Sequence, residues 1–316
     1  MIYISIPVHE KPEVVVNQIQ NFARYLPEAK VVLHVSKDAK FSVNELEDVL
    51  KNENVSHALV NPTQVETKWG SIIQAHLANI RYIIRQGDAE KVIFHSSNDM
   101  LIMDGLSEYL KDKKNIFHLR KCTSDSLWWV SKRAVKDFPV LTFFNHKLYA
   151  SQIEGSMYDI VLLKKLVSDL DKQDLILDSE LFYPREEIVF SSFAYKKDIK
   201  PDGLPYVFSE VHMFDRVFFK YMSLFPILFL ANNPISKGLK KILELLLMQC
   251  KKSITLDVID KIITRNNNLD SMCILDDSLD KHLIWLIYNK DDLFGVKRVE
   301  RDLLDPIRIT ISTNIL

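Results

Sequence analysis

The sequence predicts an α/β fold: a mostly parallel sheet with helices on both faces, followed by a helical C-terminal region. Three observations predict it. Short apolar strands alternate with amphipathic helices through the first part of the chain. Polar residues of ligand-binding type collect just after several of those strands. Beyond about residue 220 the alternation stops and helical periodicity takes over.

The first strand is "IYISI", ending at Pro7. "PEVVVNQIQNFARYL" follows as a helix, with Pro12 in its first turn and Val15, Ile19, Phe22 and Leu26 on one face. Pro27 ends it. "KVVLHVS" (30–36) is the second strand, "VNELEDVLKN" a short helix and "SHALV" (56–60) a weak strand. "GSIIQAHLANIRYIIRQG" (70–87) is a strong helix, with Ile73, Leu77, Ile80 and Ile84 in register and Gly87 as its C-cap. "KVIFHS" and "NIFHLR" (115–120) are the next strands. After 224 come "SKGLKKILELLLMQCKK" (236–252), amphipathic and capped by Ser236, then "TLDVIDKIITRN" and "DKHLIWLIYN". The chain divides into an α/β unit, 1–224, and a helical region, 225–316, suited to packing, self-association or rest on a membrane surface.

Composition narrows the function. The 316 residues are 47% hydrophobic and carry a formal net charge of −1, so nothing suggests a general nucleic-acid binder. Only 7 glycines and 11 prolines argue against low complexity. Cys122, Cys250 and Cys273 form no CxxC and have no histidine at zinc spacing, which fits free thiols in a reducing, cytoplasmic compartment. "MIYISIPVHE" reads as a strand rather than a leader. "YMSLFPILFLA" (221–231) is too short to span a bilayer.

Four polar clusters stand at strand ends or helix starts. They are His9, Glu10 and Lys11; His34, Ser36 and Lys37; Lys68, Trp69 and Gly70; and the loop from His95 to Asp99. Each alone is equally a solvated turn or a helix cap. Together they converge, because neighbouring strand ends of a parallel sheet share one crevice. No Walker A or GxGxxG loop is present, so those phosphate-binding modes are not indicated.

The order of these segments resembles the core-2/I-branching N-acetylglucosaminyltransferase and peptide xylosyltransferase group, glycosyltransferase family 14. His9 to Pro12 matches its "H-x-x-P" helix start, and "LHVSKD" its "IHVDKK" strand. "VETKWGSIIQA" (65–75) follows "V-x-WGG-x-S-x-V-x-A", and "KVIFHSSNDMLI" (91–102) follows "YFHLLSGQDYPL". "GSMYDIVLLKK" (155–165), "PREEIVFSS" (184–192) and "FDRVF" (214–218) echo "GSQWWSLTR", "PDE-x-x-F-x-T" and "FARKF". Ser36 and Ser97 depart from the family's Asp and Gly. The region after 224 has no counterpart.

The resemblance implies a GT-A-type, bacterial-type, inverting transferase that takes a sugar from a nucleotide donor, most simply UDP-linked, to a glycan or lipid-linked glycan in surface polysaccharide or lipopolysaccharide synthesis. It implies no metal cofactor, since basic side chains hold the diphosphate. Glu187 falls on the family's catalytic glutamate, with Glu186 the alternative because of one extra residue after Pro184. Arg216 matches the diphosphate cation, with Lys200, Lys197 and Lys220 behind it. The donor site is assigned to His9, His34, Lys37, Trp69, Gly70, Ser97, Asn98, Asp99, Arg216 and Lys200, with ordering of its own loop as the other role open to Asp99. The acceptor side is assigned to Glu154, Gly155, Ser156 and Trp128, with Trp129, His118 and Arg120 as further candidates. Two alternatives stand beside this reading. One is a non-catalytic sugar- or nucleotide-binding relative. The other is a transferase using manganese or magnesium at Asn98-Asp99, although a single carboxylate is a poor site for such an ion. A homo-oligomer and a cytoplasmic, membrane-peripheral location complete the expectations.

Overall fold

The computed structural model describes residues 1–9, 11–67, 72–124, 129–173, 177, 183–208, 234–235, 238–239, 242, 254–265 and 290–313. In chain order its elements are β1 (Ile2–Val8), α1 (Pro12–Tyr25), β2 (Ala29–Val35), α2 (Val43–Asn52), β3 (Ala58–Asn61), α3 (Ile73–Gln86), β4 (Lys91–Phe94), β5 (Met100–Leu101) and α4 (Leu106–Lys111). Then come β6 (Arg120–Lys121), α5 (Trp129–Ala134), α6 (Phe138–Phe143), β7 (Tyr149–Ala150), β8 (Met157–Asp159), α7 (Ile160–Gln173), α8 (Glu186–Lys196) and β9 (Val207–Phe208). The C-terminal stretch supplies α9 (Leu256–Ile263), β10 (Gly295–Val296) and α10 (Pro306–Thr313).

The main sheet runs β3-β2-β1-β4-β8. β1, β2, β3 and β4 are parallel, and β8 is antiparallel to β4. Period-2 alternation gives the sheet two buried faces. Ile4, Ile6 and Val8 pack with Val15, Ile19 and Phe22 of α1. Tyr3, Val32 and Phe94 pack on the other face with Ile73, Leu77 and Ile80 of α3 and Phe190 of α8. The α/β class is therefore as expected, and the predicted helices at α1, α2 and α3 and strands at β1 to β4 are present. Pro7 lies inside β1 rather than at its end. It shares the parity of Ser5, whose carbonyl faces β4, and β4 stops beside Ser5, so the missing N–H leaves no ladder bond unmade.

The expected strand at 115–120 forms only in part. Ile116 makes single bridges to Met157 and Gly203, and pairing resumes at Arg120 with Ala150. Between them the His118 N–H donates to Ser151 Oγ, so the segment is pinned by a side chain instead of a ladder.

A second, three-stranded sheet of order β5-β10-β9 was not foreseen. Val296 pairs with Met100, and Gly295 pairs with Val207. The end of the chain thus returns to the first unit, and a third apolar cluster joins Met100 and Phe208 to Val258, Ile259, Ile262, Val296 and Ile311. Most of the predicted helix 236–252 and all of "DKHLIWLIYN" lie outside the described residues. Among the described residues no helix is long and apolar enough to cross a membrane.

Candidate functional site

The strand order reverses direction between β1 and β4: the chain builds outward through β2 and β3, then crosses by α3 to the other side of β1. Ligands in open α/β sheets bind at the carboxyl ends of the strands flanking such a point. A cavity of about 310 Å³ lies there. Its wall includes His9 after β1, Ser36 and Asp38 after β2, and His95, Ser96 and Ser97 after β4. Thr67, Ile72 and His76 close one side, and Ile153, Glu154, Glu186 and Arg301 the other.

The His95–Asp99 loop is self-braced. Asp99 is fully buried. Its Oδ2 accepts from the Ser96 N–H at 2.9 Å and lies 3.0 Å from His95 Nδ1, and its Oδ1 accepts from Ser96 Oγ at 2.6 Å. His95 Nε2 meets the Tyr206 hydroxyl at 2.7 Å. Gln18 of α1 donates to the carbonyls of Ser96 and Asp99. Asp99 therefore shapes the loop and does not line the cavity, while Ser97 does. Among the described residues no group of three His, Cys, Asp or Glu side chains is placed to hold a metal ion.

Two glutamates carry the other wall. Glu154 is buried, and its Oε1 meets Lys297 Nζ at 2.6 Å. Its Oε2 has no partner among the described residues, and the same holds for Glu186 Oε2. Glu186 opens α8 and is 4% exposed. Burial pushes its carboxyl up to about 7; Glu154 adds to the rise, and Lys297 and Arg185 oppose it. α8 is fixed just upstream. Arg185 Nε and the Tyr183 hydroxyl both donate to Asp137 Oδ2, at 3.0 and 2.8 Å, all three residues being buried. Glu187 is partly buried and does not line the cavity. Burial holds its carboxyl well above the usual range, with Lys297 opposing.

The sequence-predicted residues divide clearly. His9, Ser97, Glu154 and Glu186 reach the cavity. His34 is fully buried behind it, where its Nε2 accepts from the Val65 N–H and positions the 61–67 loop. Lys37 and Lys200 are exposed and do not line this cavity, and the Asn98 carbonyl accepts from the Val299 N–H. Gly155 and Ser156 form the turn behind Glu154: the Gly155 N–H donates to the Phe94 carbonyl, and Ser156 Oγ donates to the Ile153 carbonyl. Their work is to aim Glu154. Glu10, Trp69, Gly70, Trp128 and Arg216 lie outside the described residues.

Sequence reasoning missed His76, Asp38, Lys297 and Arg301. The last two belong to the basic run "GVKRVER" (295–301), whose signal was visible but whose pairing with β5, next to the His95–Asp99 loop, was not.

No family model matches this sequence, and no curated protein sequence does. Among solved structures the chain is similar to an active-site mutant of LgtC, at 10% identity and a TM-score of 0.40, over 75% of this chain and 82% of that one. It is also similar to S. aureus TarS, at 12% identity and a TM-score of 0.35, over 86% of this chain and 47% of that one. The chain thus spans about half the length of TarS. Both likenesses are distant and assign no chemistry.

Proposed function

We propose that this chain is a glycosyltransferase that moves a sugar, with inversion, from a nucleotide donor to a hydroxyl of a glycan acceptor. The observation that carries the reading is Glu186: a carboxyl at the wall of the switch-point cavity, one oxygen unpartnered among the described residues, with a pKa raised to about 7. A general base works best when its pKa lies near the working pH. The colinear motifs from His9 to "PREEIVFSS" support the same chemistry.

In this reading the acceptor oxygen bonds to the anomeric carbon as the bond from that carbon to the phosphate oxygen breaks. Glu186 takes the hydroxyl proton, and the nucleotide leaves with the electron pair. Glu186 rather than Glu187 takes this role because it faces the cavity. Glu154 orients acceptor hydroxyls through its unpartnered oxygen. Arg301, always charged, offers a cation on the same cavity for the departing diphosphate. The donor we propose is a UDP-sugar, the reaction is metal-independent, and the acceptor belongs to surface polysaccharide or lipopolysaccharide synthesis at the inner face of the membrane.

A donor screen with product mass spectrometry tests this. The expected result is sugar transfer or slow donor hydrolysis that disappears in Glu186→Gln. Tight nucleotide-sugar binding by calorimetry with no turnover on any acceptor would favour the non-catalytic reading instead.

A further inference from the structure

A chain of buried amides and hydroxyls runs from the sheet to the cavity. Asn79 of α3 is fully buried. Its Nδ2 donates to the Val32 carbonyl at 3.0 Å, and because a carbonyl only accepts, this contact fixes the amide's orientation. The second Nδ2 hydrogen then goes to Ser5 Oγ, at 3.0 Å, while Oδ1 accepts from Asn61 Nδ2 at 3.1 Å. Ser5 Oγ is thus already an acceptor. Its own hydrogen has one acceptor within reach among the described residues, His76 Nδ1 at 2.9 Å. The other arrangement, with the imidazole donating, would strand a buried hydroxyl hydrogen. His76 Nδ1 is therefore the bare nitrogen, and Nε2 carries the proton.

His76 lines the cavity, its ring braced edge-on against Phe94 at 4.9 Å between centroids. Burial, with His34 and His95 nearby, holds its pKa down to about 3, so the ring stays uncharged at working pH. A neutral donor suits an oxygen acceptor and gives no foothold to a cationic ligand.

We propose that His76 is a ligand-positioning residue, locked by the Ser5–Asn79 relay as its Nε2–H tautomer, and that it donates one hydrogen bond to an acceptor oxygen of the bound nucleotide. The ligand half of this rests on the nucleotide-sugar reading above. The acceptor is a base or ribose oxygen or a phosphate oxygen; uridine and pyrophosphate separate these.

Two-bond proton–nitrogen correlation spectra of the full chain read the tautomer directly. Nε2–H is expected, and Nδ1–H, or an imidazolium at neutral pH, overturns the proposal. UDP is then added, followed in separate samples by uridine and by pyrophosphate. A shift of the His76 Nε2 signals with UDP is expected, and whichever fragment reproduces it names the oxygen. If UDP binds by calorimetry and leaves His76 unmoved, this proposal fails while the functional reading stands. If none of the probes binds, both fail. His76→Leu should weaken UDP binding about tenfold, the worth of one hydrogen bond. His76→Gln, which keeps a donor near the Nε2 position, should stay within about threefold. Equal loss in both variants, with both folded, also overturns it.

Discussion

Lys297 Nζ and Glu154 Oε1 stand 2.6 Å apart, both side chains largely buried, with Glu154 on the cavity wall. The contact ties the segment just after β10 to the turn that follows β7, and the Lys297 N–H donates to the Phe208 carbonyl beside it. Burial is the strongest single influence and works against the Lys297 charge, but Glu154, Glu187 and Asp99 together outweigh it and the net effect raises the lysine's pKa. Removing one partner of such a pair strands the other charge. Lys297→Met should therefore cost about 3 kcal/mol in urea unfolding, and adding Glu154→Gln should recover most of that. A neutral Lys297→Met would mean that the pair does not hold the C-terminal strand in place.

Glu186 makes two pH predictions. As a base it acts when ionised, so kcat/KM should rise with pH through about 7 and flatten above, and Glu186→Gln should lower turnover by roughly 10²–10⁴-fold. Stability moves the other way. The folded pKa lies above the ordinary glutamate value of 4.5, so the folded state holds the proton more tightly. That contribution is full below about 4.5 and is lost as pH rises through about 7, by up to roughly 3 kcal/mol. The Gln variant lacks it and should gain on the wild type across this window. Denaturation curves at several pH values check the sign. Should Glu187→Gln, and not Glu186→Gln, abolish turnover, the base has been misassigned.

Gly155 aims Glu154 by adopting φ +76° in a tight space. A Cβ there would stand 2.8 Å from Val207 Cγ2 and 2.9 Å from the Val207 backbone nitrogen. Gly155→Ala combines an unfavourable φ with a backbone clash, so a loss of about 2–4 kcal/mol is expected from thermal or urea unfolding. Acceptor KM should rise in whatever fraction folds.

Local patterns made the first half of the chain readable. In α1 and α3 the apolar spacing, Pro12 and Gly87 are signals within a single helix, and β1, β2 and β4 are runs of buried apolar residues. The small sheet β5-β10-β9 was unreadable because each strand is two residues long and its partners are far apart in sequence. The same distance hid Lys297 and Arg301 from the site. His76 was hidden differently: it sits on the apolar face of α3 between Ile73 and Ile80, where a histidine normally reads as core. For Asp99 the sequence left two roles open, binding the sugar and ordering the loop, since a loop carboxylate that faces its own backbone looks the same in sequence as one that faces a ligand; the structure places it within its own loop.

That inward direction leads to the last prediction. Asp99 spends both oxygens on Ser96 and His95, inside a loop that Gln18 and the Val299 N–H hold from outside. A metal ion would have to break these bonds before it gained a ligand, and divalent ions of this kind need several oxygens besides. Activity should therefore survive excess EDTA. Asp99→Asn places an amide where two donors point, so it should cost about 2 kcal/mol of stability and lower turnover by disordering Ser97 at the cavity. Manganese should not restore it. Complete loss of wild-type activity in EDTA, recovered with manganese and needing more manganese in Asp99→Asn, would reverse the assignment and make the loop a metal site.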